Sequence, residues 1–360
     1  MKKAYRTFIG LILTAMVVLC LPGLKEFTAS SAADTDKLEV HFIDVGQGDA
    51  TFITCGGHSM LIDSGDDSKG TAVQNYLQKQ KVQKLDYLIL THPDADHIGG
   101  APVIITKFEI DRVFVSNYEK DNRTYQKLIQ ALDNKRLKAV TPDVGETYRL
   151  GSAKITVLAP DRIYDNPNDA SLGLLIENGD NRFLFTGDAE ETAENDILNN
   201  QADISADVYH VGHHGSRTST SEKFFNAVKP AYAVISCGED NAYGHPHAQT
   251  LNLFRANAVE VYRTDEQGSI VAVSDGTQIS WNCSPSTTWK PGEPSDPGFQ
   301  KKSDNCPTQI TYICNTNTKK FHYPSCSSVC QMSGKNKKTV TISRDEVIAQ
   351  GYAPCKKCNP

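Results

Sequence analysis

The sequence predicts an α/β protein with helices layered on sheets, followed by a small separate unit. Strand-like and helix-like segments alternate from Leu38 to Trp281, the pattern of α/β layers around sheets. Residues 283–310 are rich in Pro, Ser and Gly, and residues 311–360 are too few for a good core but rich in Cys; such units usually need a metal or disulfides. With 39% hydrophobic and 22% charged residues, the chain is not a disordered one. A mean hydropathy of −0.41 and a single long apolar run exclude a polytopic membrane protein.

In chain order, Lys2, Lys3 and Arg6 precede an apolar stretch from Phe8 to Leu24, and Ser31-Ala32-Ala33 supplies small residues for cleavage. Residues 1–33 therefore read as a secretory signal, and the expectation is a secreted protein; an uncleaved signal anchoring it to a membrane is the alternative. Residues 34–282 form the main domain. KLEVHFIDV, DATFITC, SMLIDSG, LDYLILTH, RVFVSN, KITVLAP, LGLLIEN, NRFLFTGD, ADVYHVGHH, AYAVISCG and SIVAVSD read as strands. GTAVQNYLQKQ, TYQKLIQALDNK, EETAENDILNN, SEKFFNAVKP and HAQTLNLFRAN read as helices. Residues 283–310 read as a linker and 311–360 as the second unit. No internal repeat is visible. The net charge of −6 argues against a uniformly basic nucleic-acid binder. It hides a split: ten Lys/Arg against three Asp/Glu give residues 301–360 a charge of +7, residues 1–33 carry +3, and residues 34–300 carry −16.

The strongest chemical signal is Thr91-His92-Pro93-Asp94-Ala95-Asp96-His97-Ile98-Gly99-Gly100, at the end of an apolar strand. Two His and two Asp within six residues can surround two adjacent cations, His92 and Asp94 facing one, Asp96 and His97 the other. Such a pair clamps a phosphate and lowers the pKa of a shared water. Asp63 in LIDSG precedes this loop, and Asp188 in FLFTGD, His213-His214-Gly215-Ser216 and Gly244-His245-Pro246-His247 follow it in order.

These five features together resemble the metallo-β-lactamase superfamily over residues 38–282. HFIDVGQGDA, THPDADHIGG, NDAS, FTGDAE, HHGS and YGHPH are similar, more narrowly, to the extracellular domain of the ComEC family of competence (DNA-uptake) channels. The resemblance implies a four-layer αββα fold and a two-metal site in which Asp188 bridges the ions and Asp63 orients the metal loop. Asp94 stands where the family has its second histidine, and no histidine lies between His97 and His210, so the family's third-motif histidine is missing. Asn168, Asp169 and Ser171 occupy that interval and partly substitute. An oxygen-rich set favours Mn²⁺ over the usual Zn²⁺, with Zn²⁺ and Mg²⁺ still open. His245 falls where the superfamily's last histidine ligand stands, which leaves His213 or His214 for the substrate phosphate, the leaving group or a supporting place behind the ligands, Asp96 and these histidines being the candidate catalytic residues. His247 is equally a helix cap. His41, His58 and His210 read as structural or surface residues. Gly46-Gln47-Gly48-Asp49 reads as a plain hairpin turn or a ligand-facing one, and is no P-loop because no Gly-Lys-Ser/Thr follows.

In the second unit, His322-Tyr-Pro-Ser-Cys326 and Cys355-Lys-Lys-Cys358 have the spacing of a tetrahedral zinc with one imidazole and three thiolates; disulfides are the alternative in an oxidising compartment. NTNTKKFHYPSC and GYAPCKKC resemble the zinc-binding module of the Ada DNA-repair family, in which a methyl-accepting cysteine stands at the place of His322. The resemblance implies a structural Zn²⁺ without methyl transfer. Cys314 with Cys330 and Cys283 with Cys306 are spare pairs of undetermined connectivity. Lys319, Lys320, Lys335, Lys337, Lys338, Arg344, Lys356 and Lys357 suit phosphate contacts, or an anionic cell wall. The leading expectation is a secreted metal-dependent phosphodiesterase or nuclease acting on DNA. The alternatives are a hydrolase of small phosphoesters or lactams and a non-catalytic DNA- or wall-binding protein, because fold alone does not choose among them.

Overall fold

Alternating burial along the strands builds two sheets that meet face to face. The computed structural model describes residues 36–293 and 310–358, apart from 325, 343–346 and 349; the expected signal over residues 1–33 lies outside the described residues. The chain divides into two compact units, Met1–Pro294 and Ser295–Pro360. Among the described residues no helix is long and apolar enough to cross a membrane.

The first unit opens with β1 (Leu38–Phe42), β2 (Thr51–Cys55), β3 (His58–Ile62), β4 (Lys84–Leu90), β5 (Glu109–Val115) and β6 (Ala139–Val140). It continues with β7 (Thr147–Leu150), β8 (Ala153–Ala159), β9 (Gly173–Asn178), β10 (Asn181–Phe185), β11 (Val208–His210), β12 (Tyr232–Ile235) and β13 (Glu260–Arg263), and closes with β14 (Ile270–Ser274) and β15 (Ile279–Trp281). One sheet runs β15-β14-β1-β2-β3-β4-β5-β6 and the other β13-β12-β11-β10-β9-β8-β7. Strands β3 to β6 pair in parallel, as do β10 to β13. All eleven predicted strands and five predicted helices are present. The helix Arg123–Lys135 starts where Asn122 accepts a bond from Tyr125 N, and Glu222–Val228 starts where Ser221 accepts one from Phe224 N.

Period-two alternation divides each strand between two cores. Phe183 and Phe185 point between the sheets, with Val40, Phe42, Ile53, Ile155 and Val234. Leu184 points outward, with Phe224, Phe225, Leu251 and Phe254 from the helices on that side. The outer face of the first sheet packs Leu61 and Leu88 against Val73, Leu77, Ile104, Ile105 and Leu128. The result is the four-layer αββα architecture of the expectation. The helix Ala101–Lys107 escapes the sequence pattern because its β-branched APVIITK run reads as neither period; Pro at its first turn starts it. Strands β6, β7, β13 and β15 also escape it, being two to four residues long.

Residues 283–293 pack on the first unit, which corrects the linker reading for that part of the segment. Ser286 N donates to Val261 O at 2.7 Å, Gly292 N donates to Pro246 O at 2.9 Å, Glu293 accepts from Ala248 N at 3.1 Å, and Trp289 joins the outer core. Its composition reported the absence of regular secondary structure, not the absence of contacts. In the second unit, β16 (Ile310–Asn315), β17 (Lys320–His322), β18 (Lys337–Ile342) and β19 (Ala353–Pro354) form a sheet in the order β18-β16-β17-β19. Its small core is Tyr312, Cys314, Phe321, Val347 and Tyr352.

Glu194, on the helix Glu191–Asn199, is buried, and its carboxylate accepts from Thr220 N and Ser221 N. Burial pushes it up to about 7 against those donors. A carboxyl whose pKa rises on folding binds more protons in the folded state. Its contribution is therefore fully present below the unfolded value near ~4.5 and is lost as pH rises to about 7. Denaturant unfolding should show the native chain losing roughly 3 kcal/mol relative to Glu194→Gln between those limits, at 1.36 kcal/mol per pKa unit. Parallel pH profiles would contradict this.

Candidate metal centre

The site forms where both sets of parallel strands end. Strand β3 delivers Asp63, β4 delivers the His92–His97 loop, β10 delivers Asp188, β11 delivers His213 and His214, and β12 leads to His245. Carboxyl ends of parallel strands are the usual place for a site in open α/β sheets. Backbone bonds lace these loops together. Asp49 N donates to Asp96 O at 3.1 Å, Ser64 N to His97 O at 2.8 Å and Gly65 N to Asp49 O at 2.8 Å. Gly48 (φ +126°) is required here: a Cβ would fall 2.3 Å from Asp96 O.

Asp63 holds a left-handed backbone (φ 57°) that its hydrogen bonds offset. It accepts from Thr91 N at 2.8 Å and from Thr91 Oγ1 at 2.6 Å, and faces His97 Nδ1 at 2.8 Å. That contact turns His97 Nε2 toward Asp188. The two oxygens of Asp188 divide four imidazoles between them. Oδ1 lies 3.2 Å from His97 Nε2 and 3.6 Å from His214 Nε2; Oδ2 lies 3.8 Å from His92 Nε2 and 3.6 Å from His213 Nε2. Asp96 Oδ2 stands 3.3 Å from His214 Nε2, and Asp49 Oδ1 stands 3.3 Å from His214 Nδ1. Donor atoms of Asp49, His97, Asp188 and His214 all lie within 4.8 Å of one another. His92 Nε2, His97 Nε2, His214 Nε2 and Asp188 Oδ1 are buried with no hydrogen-bond partner. Inward-aimed lone pairs left unmatched in a buried set of imidazoles and carboxylates fit divalent cations.

The electrostatics agree. Burial works against the Asp188 charge, yet the His97 and His214 imidazoles hold its carboxyl well below the usual range. Burial likewise opposes a charge on His97 and His214, yet Asp188 with Asp63, and Asp188 with Asp49, raise them well above it. His92 goes the other way, pushed down to about 4 by burial and by His97. The converging carboxylates Asp49, Asp96 and Asp188 favour positive charge among them, which protons on His97 and His214 or divalent cations would supply.

The sequence matches the metallo-beta-lactamase superfamily over residues 43–239, and that match spans more than half of the chain. The chain belongs to the metallo-beta-lactamase superfamily. Its members are in general metal-dependent hydrolases. Among curated relatives it is 33% identical to ComE operon protein 3 of Bacillus subtilis, over 64% of this chain and 32% of that protein. It is 30% identical to Recombination protein 2 of Haemophilus influenzae, over 74% and 31%, and 28% identical to Competence protein ComA of Neisseria gonorrhoeae, over 72% and 36%. The chain thus spans about one third of the length of these relatives.

Several predicted residues sit elsewhere in this superfamily site than the sequence suggested. Asp94 pairs with Lys120 Nζ at 2.6 Å, so a ligand role requires that pair to open. His245 lies outside the four-donor cluster, its ring 6.0 Å from that of His214. His214, read with His213 as a contact to substrate or leaving group or as a support behind the ligands, stands between Asp96 and Asp188. His213 sits at Oδ2 of Asp188, with Nδ1 3.1 Å from Thr218 Oγ1 and 3.4 Å from Glu190 Oε1. His247 accepts from Arg217 N at 2.9 Å, not from its own helix. Ser171 Oγ accepts from Asp188 N at 3.1 Å; Asn168 Nδ2 donates to Glu190 at 3.4 Å; Asp169 accepts from Glu190 N and Ala193 N. His41 is buried against Tyr76, His58 pairs with Asp86, and His210 bonds Ser236. Sequence reasoning missed Asp49 and Glu190 as site residues, although both lie inside the HFIDVGQGDA and FTGDAE motifs that carried the resemblance.

In the second unit, donor atoms of His322, Cys326, Cys355 and Cys358 lie within 4.8 Å of one another, and His322 Nδ1 is buried without a partner. Val329 and Met332 wall the cluster. Cys283 and Cys314 are free thiols among the described residues; Cys306, Arg344 and the Cys330 side chain lie outside them. Replacing Asp63 by Asn leaves too few acceptors for Thr91 and His97 together. Asp63→Asn is expected to weaken metal affinity by about 10- to 100-fold with unchanged circular dichroism. Unchanged affinity by metal titration would show that Asp63 does not set the geometry.

Proposed function

We propose that this chain is an exported, metal-dependent phosphodiesterase that cuts DNA. The observation that carries the reading is the division of four imidazoles between the two oxygens of Asp188. One cation would be held by His97, His214, Asp188 and Asp96, and a second by His92, His213 and Asp188. When bound, two such cations would clamp a phosphodiester and lower the pKa of a nearby water. The chain's own residues do the rest. Asp63 and Glu190 fix which nitrogen of His97 and of His213 faces the centre. Asp49 does the same behind His214. The carboxylates Asp49, Asp96 and Asp188 make the donor set oxygen-rich, which suits Mn²⁺ better than a His-only set does, with Zn²⁺ and Mg²⁺ as competitors.

DNA as substrate is supported by the names of the relatives, which speak of competence and recombination. It is also supported by the second unit. Its HisCys₃ cluster suits one structural Zn²⁺, and Lys320, Lys337 and Lys338 meet at one end of its sheet, since Lys320 and Lys337 both register with Asn315 and Lys338 with Cys314. Such a basic end offsets an acidic first unit that would repel a polyanion. Export rests on the leader-like residues 1–33.

The test is incubation of single- and double-stranded DNA with the protein in Mn²⁺, Mg²⁺, Zn²⁺ or chelator. Cutting is expected with one of these metals, with a loss of at least about 100-fold in Asp188→Ala. In the same assay, Gln at Lys320, Lys337 and Lys338 should lower the salt dependence of binding by up to about 0.7 per lysine in log–log slope. No cutting with any metal, or cutting that survives Asp188→Ala, contradicts the nuclease reading; an unchanged slope contradicts the role of the basic end.

A further inference from the structure

Tyr243 leaves 65% of its surface exposed, although a large ring gains by burial. The exposure is built in. Asn241 Oδ1 accepts from Tyr243 N at 3.2 Å and from His245 N at 3.0 Å. Asn241 Nδ2 donates to Gly238 O at 2.8 Å and to His245 O at 2.6 Å. On the other side of the loop, Gly292 N donates to Pro246 O at 2.9 Å, and at Gly292 a Cβ would fall 2.1 Å from His245 O. These contacts fix the backbone of the loop that carries the ring.

The ring is also stacked on the site. It lies nearly parallel to His245, at 21° and 5.7 Å between centroids. His245 is buried and meets His213 edge-on at 5.4 Å. His213 Nε2 is 3.6 Å from Asp188 Oδ2. A row of rings thus leads from the central carboxylate to a flat, solvent-facing aromatic surface. Resting on the nuclease reading, we propose that the free face of Tyr243 is a stacking platform for the nucleobase flanking the phosphodiester held at Asp188. Every base has a π-face, so such a platform tolerates any sequence. It also supplies affinity that salt does not screen, which matters on a unit whose net charge repels the strand.

The platform is tested by binding with Ca²⁺ in place of the catalytic metal, which slows turnover and leaves Asp188 and the ring row in place. Full-length chain is titrated with a ten-residue single-stranded oligothymidine and with an abasic strand of equal length, at low and high salt. With Tyr243 present, the base-bearing strand is expected to bind about 5- to 100-fold tighter, the range for stacking of one base, and the ratio should persist at high salt. Tyr243→Ala should bring the ratio close to one, while Tyr243→Phe should keep it. Absence of a base preference with Tyr243 intact, a preference undiminished in Tyr243→Ala, or one lost equally in Tyr243→Phe overturns the platform. DNA cutting indifferent to Tyr243 would sink the platform and leave the nuclease; Tyr243-dependent base binding without cutting would do the reverse.

Discussion

The molecule is organised around one buried carboxylate. Asp188 is almost fully enclosed, and an isolated ionised carboxylate is costly to bury. Four imidazoles converge on it, two at each oxygen, and each is fixed by a contact on its far side or by burial. Asp63 stands behind His97, Asp49 and Ser236 O behind His214, Glu190 and Thr218 behind His213. Without these outer contacts the rings could turn their nitrogens away, and the centre would lose both its shape and its charge balance. His213 and His214 both adopt left-handed backbone conformations, which single residues other than Gly rarely hold unless their surroundings over-determine them. At this place two consecutive rings must face the same carboxylate from different sides.

The two sheets make that convergence possible. Five strands, β3, β4, β10, β11 and β12, deliver the site residues from their carboxyl ends, and Phe42, Phe183 and Phe185 fill the core between the two sheets. The loops are tied by backbone bonds between Asp49, Ser64, Gly65, Asp96 and His97, and Val45, Ile98 and Val211 anchor them in the outer cores.

Much of this was legible in the sequence, for identifiable reasons. Strands such as NRFLF alternate inward Phe183 and Phe185 with outward Leu184, and that periodicity is visible without coordinates. The helix Ala101–Lys107 was not visible, because its β-branched run fits neither the helical nor the strand period. The dense loop His92–His97 announced metal chemistry by composition. Asp49 did not, because a single carboxylate after a Gly-rich turn is indistinguishable from a turn residue until β1 and β2 bring it against His210 and His214. The choice between His214 and His245 was equally illegible: both follow parallel strands in the same sheet, and only the tight Gly212–Gly215 turn decides which ring reaches Asp188.

The central claim is that Asp188 stands between two cations. Crystals grown with Mn²⁺ and measured at the manganese absorption edge test it most directly. Two anomalous peaks are predicted, one facing Oδ1 among His97, His214 and Asp96, the other facing Oδ2 between His92 and His213. A single peak, or peaks placed at Asp94 or His245 and away from Asp188, would contradict the account.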